Sequence, residues 1–181
     1  GPAIAGLLAH ARAQAALAAP TANSYKRLLP GSWAPAHVCW AIGNRSALVR
    51  VPGRGAGRHL EYRAGDAAMN PYLHVAGLLA AVRDGVERGL TLPPEAQVDV
   101  GHLTDEDATD QGFPRLPARL DAALDAFAGD DVLKAAVGPV VAAHYDAVKR
   151  FEWDLYLERS GLAPDATDVS DWERRTWFEH L

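Results

Sequence analysis

The chain has 181 residues, which is long enough for one domain with a core that buries roughly 70% of the unfolded surface. Its formal charge of −5 and its pI of about 5.8 argue against a general binder of nucleic acid or of an anionic membrane. A single cysteine, Cys39, excludes an internal disulfide, so a reducing cytoplasm is the expected compartment. No apolar run approaches the roughly 20 residues of a transmembrane helix.

The first residues predict that the chain was cut from something longer. Gly1 and Pro2 resemble the remnant of a cleaved expression tag, so residues 1–3 are expected to be a tag scar and the start of the cloned segment. An alanine-rich pattern without a capping residue follows. We therefore expect residues 4–181 to be a fragment of a longer protein.

The first third of the chain predicts one helix and three strands. Apolar residues at helical spacing predict a helix from Ile4 to about Ala19, ended by Pro20. Two strands, at 37–42 and 47–51, are predicted around a tight connection at 43–45. Residues 53–57, with the sequence GRGAG, read as a flexible link before a third strand at 59–63.

The rest of the chain is predicted to be mostly helical. Asn70 and Pro71 are a side-chain cap and a first-turn proline, and they predict a helix that ends near Gly89. Residues 91–116 lack periodicity and are predicted to be a long loop. Helices are predicted at 117–127 and 132–160, the second with a kink at 138–139, and a short aromatic helix closes the chain. The fold class is therefore α+β, helix-rich, with a few mainly antiparallel strands.

The loop at residues 23–35 raises a separate question. Its sequence is NSYKRLLPGSWAP, and a tight turn explains Pro30 and Gly31. A turn does not explain Trp33, a large aromatic residue in a loop that should be polar.

The third predicted strand has one polar face. In the sequence HLEYR the strand period of two places His59, Glu61 and Arg63 on one face, with Leu60 and Tyr62 on the other. This face is either a solvated outer surface or the polar wall of a cleft. In the second case Glu61 could bind a metal and Arg63 an anion.

Further arginines lie close by in the sequence. Arg50 interrupts an apolar run and must reach an anion or a carboxylate, because burial of an unpaired guanidinium is very costly. The alternative is a structural ion pair with Asp66 or Glu61. With Arg27 and Arg45, the group has four arginines and one glutamate, which indicates an anion site that includes a divalent ion.

Other motifs are better explained by structure than by chemistry. The GRGAG segment lacks the helix and the Lys-Ser/Thr pair of a phosphate-binding loop. The histidines show no metal-ligand spacing, and Cys39 in a strand is expected to be a small buried hydrophobic residue.

Five ordered blocks nevertheless give the chain a specific resemblance. PTANSYKRLLPG, GNRSALVRVP, HLEYRAGD, NPYL and DWERRTWFEHL together resemble the C-terminal part of the catalytic domain of glutamine synthetases. The resemblance covers essentially the whole chain after the first three residues. It implies an ATP-dependent ligase that forms γ-glutamyl phosphate from glutamate and transfers the acyl group to an amine.

The resemblance also implies roles for individual residues. Arg27 matches an arginine that binds glutamate, and Glu61 matches a ligand of a divalent ion, Mg²⁺ or Mn²⁺. Arg45 and Arg50 match arginines that hold the ATP phosphates and assist phosphoryl transfer, which makes Arg45 a candidate catalytic residue. Arg63 matches a catalytic arginine that contacts the substrate carboxylate. His59 falls where some members of the family contact the nucleotide.

Trp33 is the main departure from the family pattern. Members that use ammonia typically read PG-aromatic-Glu-AP in this loop, and that glutamate helps to bind ammonium and take its proton. Trp33 occupies the place of the glutamate, and an indole packs on alkyl chains or attracts organic cations. The site therefore resembles those of ligases for larger amines, such as polyamines or ethanolamine. The alternative is that the loop shifts and another carboxylate serves ammonium.

Two more departures follow from the resemblance. Residues 98–116 contain no tyrosine, so the adenylylation site of some bacterial members is absent. The family's β-grasp domain, its other metal ligands and most of its nucleotide pocket lie N-terminal to the matched segment, and its active sites form between neighbouring subunits of a ring-shaped homo-oligomer. The chain alone is therefore expected to bind ATP poorly and to be inactive. A further alternative is an inactive half-domain with an assembly role.

Overall fold

The computed structural model describes residues 1–53 and 55–178, apart from the side chain of Phe178. It is helix-rich with a small sheet, so the predicted α+β class is confirmed. The helices are α1 (Pro2–Ala9), α2 (Ala11–Ala18), α3 (Ala22–Tyr25), α4 (Pro71–Glu87), α5 (Asp105–Asp110), α6 (Leu120–Ala128), α7 (Asp131–Val137), α8 (Pro139–Ser160) and α9 (Asp171–Phe178). The strands are β1 (Trp40–Ile42), β2 (Val49–Val51) and β3 (Glu61–Tyr62).

Local chemistry sets several helix ends. The Asn70 side chain accepts hydrogen bonds from the backbone N–H groups of Tyr72 and Leu73, which confirms the predicted start of α4. Gly161 ends α8 in a left-handed conformation with φ of 67°. Gly138, with φ of 89°, separates α7 from α8, so the predicted kink is a complete break between two helices.

The predicted N-terminal helix is also two helices. His10, with φ of −97° and ψ of 4°, separates α1 from α2. Its ring explains the break, because Nδ1 lies 2.6 Å from Asp130 Oδ2 and Nε2 lies 3.1 Å from Asp84 Oδ2. His10 therefore joins the N-terminal helices to α4 and to the start of α7.

Most of the core lies between the helices. Its largest fully buried residues, each with less than 2% exposure, include Leu17, Leu28, Leu124, Phe127 and Tyr156, while Leu7 at 5% also lies in this core. Helices α1 and α4 approach closely through glycine: a Cβ on Gly85 would lie 2.7 Å from the Cα of Gly6. Such contacts leave no room for a methyl group.

The sheet differs from the predicted one. Strands β1 and β2 are parallel, with Trp40 paired to Val49, and β2 and β3 are antiparallel, with Arg50 paired to Glu61. The expectation of mainly antiparallel strands was therefore wrong for the first pair. The chain leaves β1 through Gly43, with φ of 71°, and returns to the start of β1 instead of reversing its direction.

The predicted long loop at 91–116 contains regular structure. Residues 100–102 form a short 3₁₀ turn, and α5 follows, capped by the Thr104 side chain on the N–H of Asp107. This six-residue helix is too short to show a periodic pattern. A second small core, made of Cys39, Ala41, Ala47, Ala96, Val100 and Ala108, packs this segment against β1, and Cys39 is buried as expected. Over the described residues, no helix combines the length and the apolarity needed to cross a bilayer.

Candidate active site

The strands bring the predicted arginines and Glu61 together. Arg50 and Glu61 are cross-strand partners, and Arg50 Nη1 donates to Glu61 Oε2 at 3.0 Å. The other carboxylate oxygen of Glu61 lies 3.9 Å from Arg63 Nε. The ion pair that the sequence left open is therefore with Glu61.

The cluster carries an excess of positive charge. Burial lowers the pKa of Arg63, the carboxylate of Glu61 opposes that shift, and the nearby charges of Arg50, Arg45 and Arg27 lower the pKa further. Four guanidiniums thus lie close together, and two of them, Arg50 and Arg63, contact Glu61, whose side chain is 41% exposed. Such a cluster favours a polyanionic ligand, because added negative charge relieves the repulsion among the arginines.

Arg63 also ties two loops together. Its Nη2 donates to the Trp33 carbonyl oxygen at 3.1 Å, and its Nη1 donates to the Ala47 carbonyl at 3.4 Å and to the Arg45 carbonyl. These bonds fix the backbone of the Trp33 loop relative to that of Arg45. The structure therefore gives Arg63 a positioning role, and its predicted contact with a substrate carboxylate stays a prediction.

Arg27 is held from the other side of the cluster. Its Nη2 donates to the carbonyl oxygens of Ala64 at 2.6 Å and Gly65 at 3.1 Å, just after β3. Its Nε is buried and has no hydrogen-bond partner among residues 1–53 and 55–178, and burial lowers the pKa of the group. An unpaired donor on a desolvated guanidinium is suited to an incoming carboxylate.

His59 lies apart from these contacts. It is exposed, it precedes β3, and its Nδ1 lies 3.0 Å from the Gly57 carbonyl oxygen in the 53–57 link. The strand that was predicted over 59–63 covers Glu61 and Tyr62 alone. The nucleotide contact of His59 stays a prediction.

Trp33 stands at the edge of an open cleft. Its side chain is 87% exposed. The cleft has a volume of about 270 Å³, and its lining includes Trp33, Arg45, Ser46, Asp99, Gly101 and His102. The sequence predicted the first two of these residues as site residues and missed Asp99 and His102. No local signal marks those two, because they lie inside the aperiodic segment 91–116, more than sixty positions after Trp33.

The residues present fit phosphate groups better than they fit a complete metal site. Over residues 1–53 and 55–178 no group of three or more His, Cys, Asp or Glu side chains is arranged to hold a metal ion. At phosphate-transfer sites of proteins, Mg²⁺ is usually held by one or two carboxylates together with phosphates and waters. Glu61 could supply one ligand, but its two oxygens face Arg50 and Arg63. Glu61 alone therefore does not make a divalent-ion site in this chain.

The arginine cluster lies on a small sheet that helices cover, and its charge favours a ligand with a phosphate or carboxylate group. The model of the glutamine synthetase catalytic domain matches residues 2–176, so the chain belongs to the glutamine synthetase family of ligases. This confirms the resemblance seen in the sequence.

Relatives and solved structures agree with that family. Glutamine synthetase of Methanocaldococcus jannaschii is 42% identical over 171 residues, which are 94% of this chain and 36% of that protein. Glutamine synthetase of Thermus thermophilus is 42% identical over 154 residues, covering 84% of this chain and 34% of that protein.

A solved structure described as a GmaS/ADP complex superimposes with a TM-score of 0.75 at 33% identity, over 98% of this chain and 39% of that one. A structure described as a novel glutamine synthase homolog gives 0.71 at 36% identity, over 91% of this chain and 36% of that chain. The chain thus spans well under half the length of the relatives it matches.

Proposed function

We propose that this chain is the C-terminal part of an ATP-dependent ligase that joins glutamate to an organic amine of the polyamine or ethanolamine type. Its family membership supports the ligase class, and the span of about two fifths of GmaS supports a larger enzyme. In the whole enzyme the site is completed by the missing N-terminal part and by a neighbouring subunit of a homo-oligomer. The proposed ligands are ATP, Mg²⁺ or Mn²⁺, and glutamate.

The arginine cluster supplies the electrostatics of this reaction. Arg27 binds the carboxylate of glutamate, and Arg45 and Arg50 hold the transferred phosphoryl group. Their charges stabilise the additional negative charge of the transition state, which is where most of the catalysis of phosphoryl transfer arises. Arg63 orients Arg45 and Trp33 through their carbonyl oxygens. A metal ion bound in the whole enzyme would neutralise further phosphate charge.

The preference for an organic amine rests on Trp33. A glutamate in this position would offer a carboxylate to ammonium, whereas an indole offers an apolar face and a weak attraction for cations. Trp33 is 87% exposed at a cleft that also contains the Arg45 side chain. An amine with an alkyl chain can therefore cover the indole while its nitrogen lies near the phosphorylated end of glutamate.

The test uses the whole enzyme with glutamate, ATP and Mg²⁺. Phosphate release is measured with ammonium, ethanolamine, diamines, longer polyamines and monoalkylamines, and the products are identified by mass. We expect turnover with an organic amine and little with ammonium. The variant Trp33→Glu should move the kcat/KM ratio toward ammonium by about tenfold or more, while Trp33→Phe, which keeps an aromatic face, should change it little.

Ammonia is the second candidate acceptor. It is favoured by the curated relatives at about 40% identity, which are described as glutamine synthetases. Turnover with ammonium alone, unaffected by Trp33→Glu, would contradict the organic-amine proposal and leave the ligase class in place. Absence of phosphate release with every amine would instead favour an inactive half-domain with an assembly role.

A further inference from the structure

The Trp33 cleft contains a negative charge that the proposed function leaves without a role. Asp99 lines the cleft together with Trp33 and Arg45, and its side chain is 60% exposed. Its Oδ1 accepts a hydrogen bond from the N–H of Gly101 at 3.1 Å. Its Oδ2 lies 3.6 Å from Nε2 of the exposed His102. One carboxylate oxygen is thus held by the backbone while the other can meet a ligand.

Hydrogen bonds between loops fix the position of Asp99. The N–H of Gly31 donates to the Gly101 carbonyl at 2.6 Å, which joins the Trp33 loop to the Asp99 loop. The N–H of Val100 donates to Ser46 Oγ at 3.0 Å, next to Arg45. Three segments far apart in the sequence, around residues 31–33, 44–46 and 98–102, therefore meet at this one cleft.

The backbone also approaches closely here. A Cβ on Gly101 would lie 3.2 Å from Asp99 Oδ1 and 3.4 Å from the Cβ of Ser46. A Cβ at this position would crowd the Asp99 carboxylate and would just touch Ser46. Glycine at position 101 therefore keeps the space beside the carboxylate open.

We propose that Asp99 binds the ammonium group of the acceptor amine, with Trp33 against its alkyl part. This inference rests on the proposed function and names the residue that recognises the second substrate. Among the described residues that line the cleft, Asp99 is the only one with a carboxylate side chain. Arg45, which also lines it, offers a positive charge to the phosphate of γ-glutamyl phosphate. A cationic amine and an anionic acyl phosphate thus each find an opposite charge in one cleft.

In the proposed reaction, the amine bound at Asp99 attacks the acyl carbon of γ-glutamyl phosphate. The nitrogen of the ammonium R–NH₃⁺ forms the new C–N bond with the acyl carbon while the C–O bond to phosphate breaks. It loses two protons, one released to solvent and one taken up by the departing phosphate. The balanced products are the amide, HPO₄²⁻ and one released proton. Asp99 contributes by concentrating the amine beside the acyl carbon and by orienting its nitrogen.

The test is Asp99→Asn in the whole enzyme. Asparagine keeps the shape and the oxygen that accepts from the Gly101 N–H, but it removes the charge. The KM for the preferred amine should rise about tenfold, since a hydrogen bond to a charged group is lost, while the KM values for glutamate and ATP stay within about twofold. Asp99→Glu keeps the charge and should recover part of the affinity.

Asp110→Asn is the matched control, because Asp110 is an exposed carboxylate at the end of α5, outside the residues that line the cleft. It should leave all three KM values unchanged. An unchanged amine KM in Asp99→Asn would overturn the inference while the ligase proposal stands. An equal rise for all three substrates would also overturn it, because it would indicate a damaged loop.

The two proposals can fail separately. If the enzyme uses ammonium alone, the organic-amine proposal fails, and Asp99 is judged by the KM for ammonium in the same variants. If the whole enzyme turns over no amine, both proposals fail.

Discussion

The helices and the segments that join them (the helical body) differ in charge arrangement from the arginine cluster around β2 and β3 (the strand face). In the body, His10 lies between the carboxylates of Asp84 and Asp130, and Nζ of the half-buried Lys26 is 2.8 Å from Oε1 of the buried Glu173. On the strand face, Arg50 and Arg63 contact Glu61, and burial together with the charges of Arg50, Arg45 and Arg27 lowers the pKa of Arg63. Ion pairs of opposite charge are compatible with a stable fold, whereas a cluster of like charges lowers stability and favours binding of a ligand with the opposite charge.

Close packing in the body should give the largest effect on stability. Gly85→Ala places a methyl group 2.7 Å from the Cα of Gly6, where α1 and α4 cannot separate without disturbing the core. We expect the free energy of unfolding to fall by about 3 kcal/mol in a urea titration, although alanine is the better helix former. Gly129→Ala is the control, since its Cβ would meet neighbours at an ordinary 3.6 Å. Equal stability of the two variants would show that the α1–α4 contact can yield.

The His10 network should give an intermediate effect that depends on pH. Both ring nitrogens face carboxylate oxygens, which favours the doubly protonated ring, and the hydrogen bond with Asp130 is the main reason that the pKa of His10 is raised above 6.5. Its contribution is therefore complete below about pH 6.5 and is lost as the pH rises through the higher folded value. The pKa values of Asp84 and Asp130 are lowered from 3.8, so their contribution is lost only in more acidic solution.

The measurement is the free energy of unfolding of His10→Gln relative to the native sequence at several pH values. The loss should be about 1–2 kcal/mol at pH 6 and clearly smaller at pH 9. The buried His37 and His74 have pKa values lowered by burial and act in the opposite direction, so the comparison is made between the two proteins at each pH. A loss that grows with pH would contradict the protonated network.

The site arginines should give the smallest effect on stability. Arg50 and Glu61 are 23% and 41% exposed, and such partly solvated pairs contribute little. Arg50→Gln should change the free energy of unfolding by less than about 0.5 kcal/mol and raise the KM for ATP in the whole enzyme. A large loss of stability with an unchanged KM would make this pair part of the structural body and remove the contrast between the two regions.

The sequence predicted best where one residue and its neighbours determine the structure. Asn70 and Pro71 carry their own capping chemistry, so the start of α4 was readable and is confirmed. Gly138 and Pro139 predicted a kink in one long helix, and the structure shows two separate helices, α7 and α8. The break at His10 was not readable, because the alanine-rich pattern continues through it and its cause lies in Asp84 and Asp130.

Contacts between segments that are far apart in the chain could not be predicted from the sequence. The parallel pairing of β1 with β2 depends on how residues 43–48 return to the start of β1, and the two short apolar runs are equally compatible with a hairpin. The arginine cluster was predicted from strand alternation and from the family resemblance. Asp99 was missed because hydrogen bonds from Gly31 and to Ser46 bring its loop to the cleft, and neither bond leaves a mark in the local pattern.

The most direct test of the account is a competition between acceptors. The whole enzyme is given glutamate, ATP and Mg²⁺ with equal concentrations of ammonium and the organic amine that gave the fastest phosphate release, and the products are counted by mass spectrometry. The account predicts that the γ-glutamyl amide of the organic amine is the main product and that Trp33→Glu raises the share of glutamine. Glutamine as the main product of the native enzyme would contradict it.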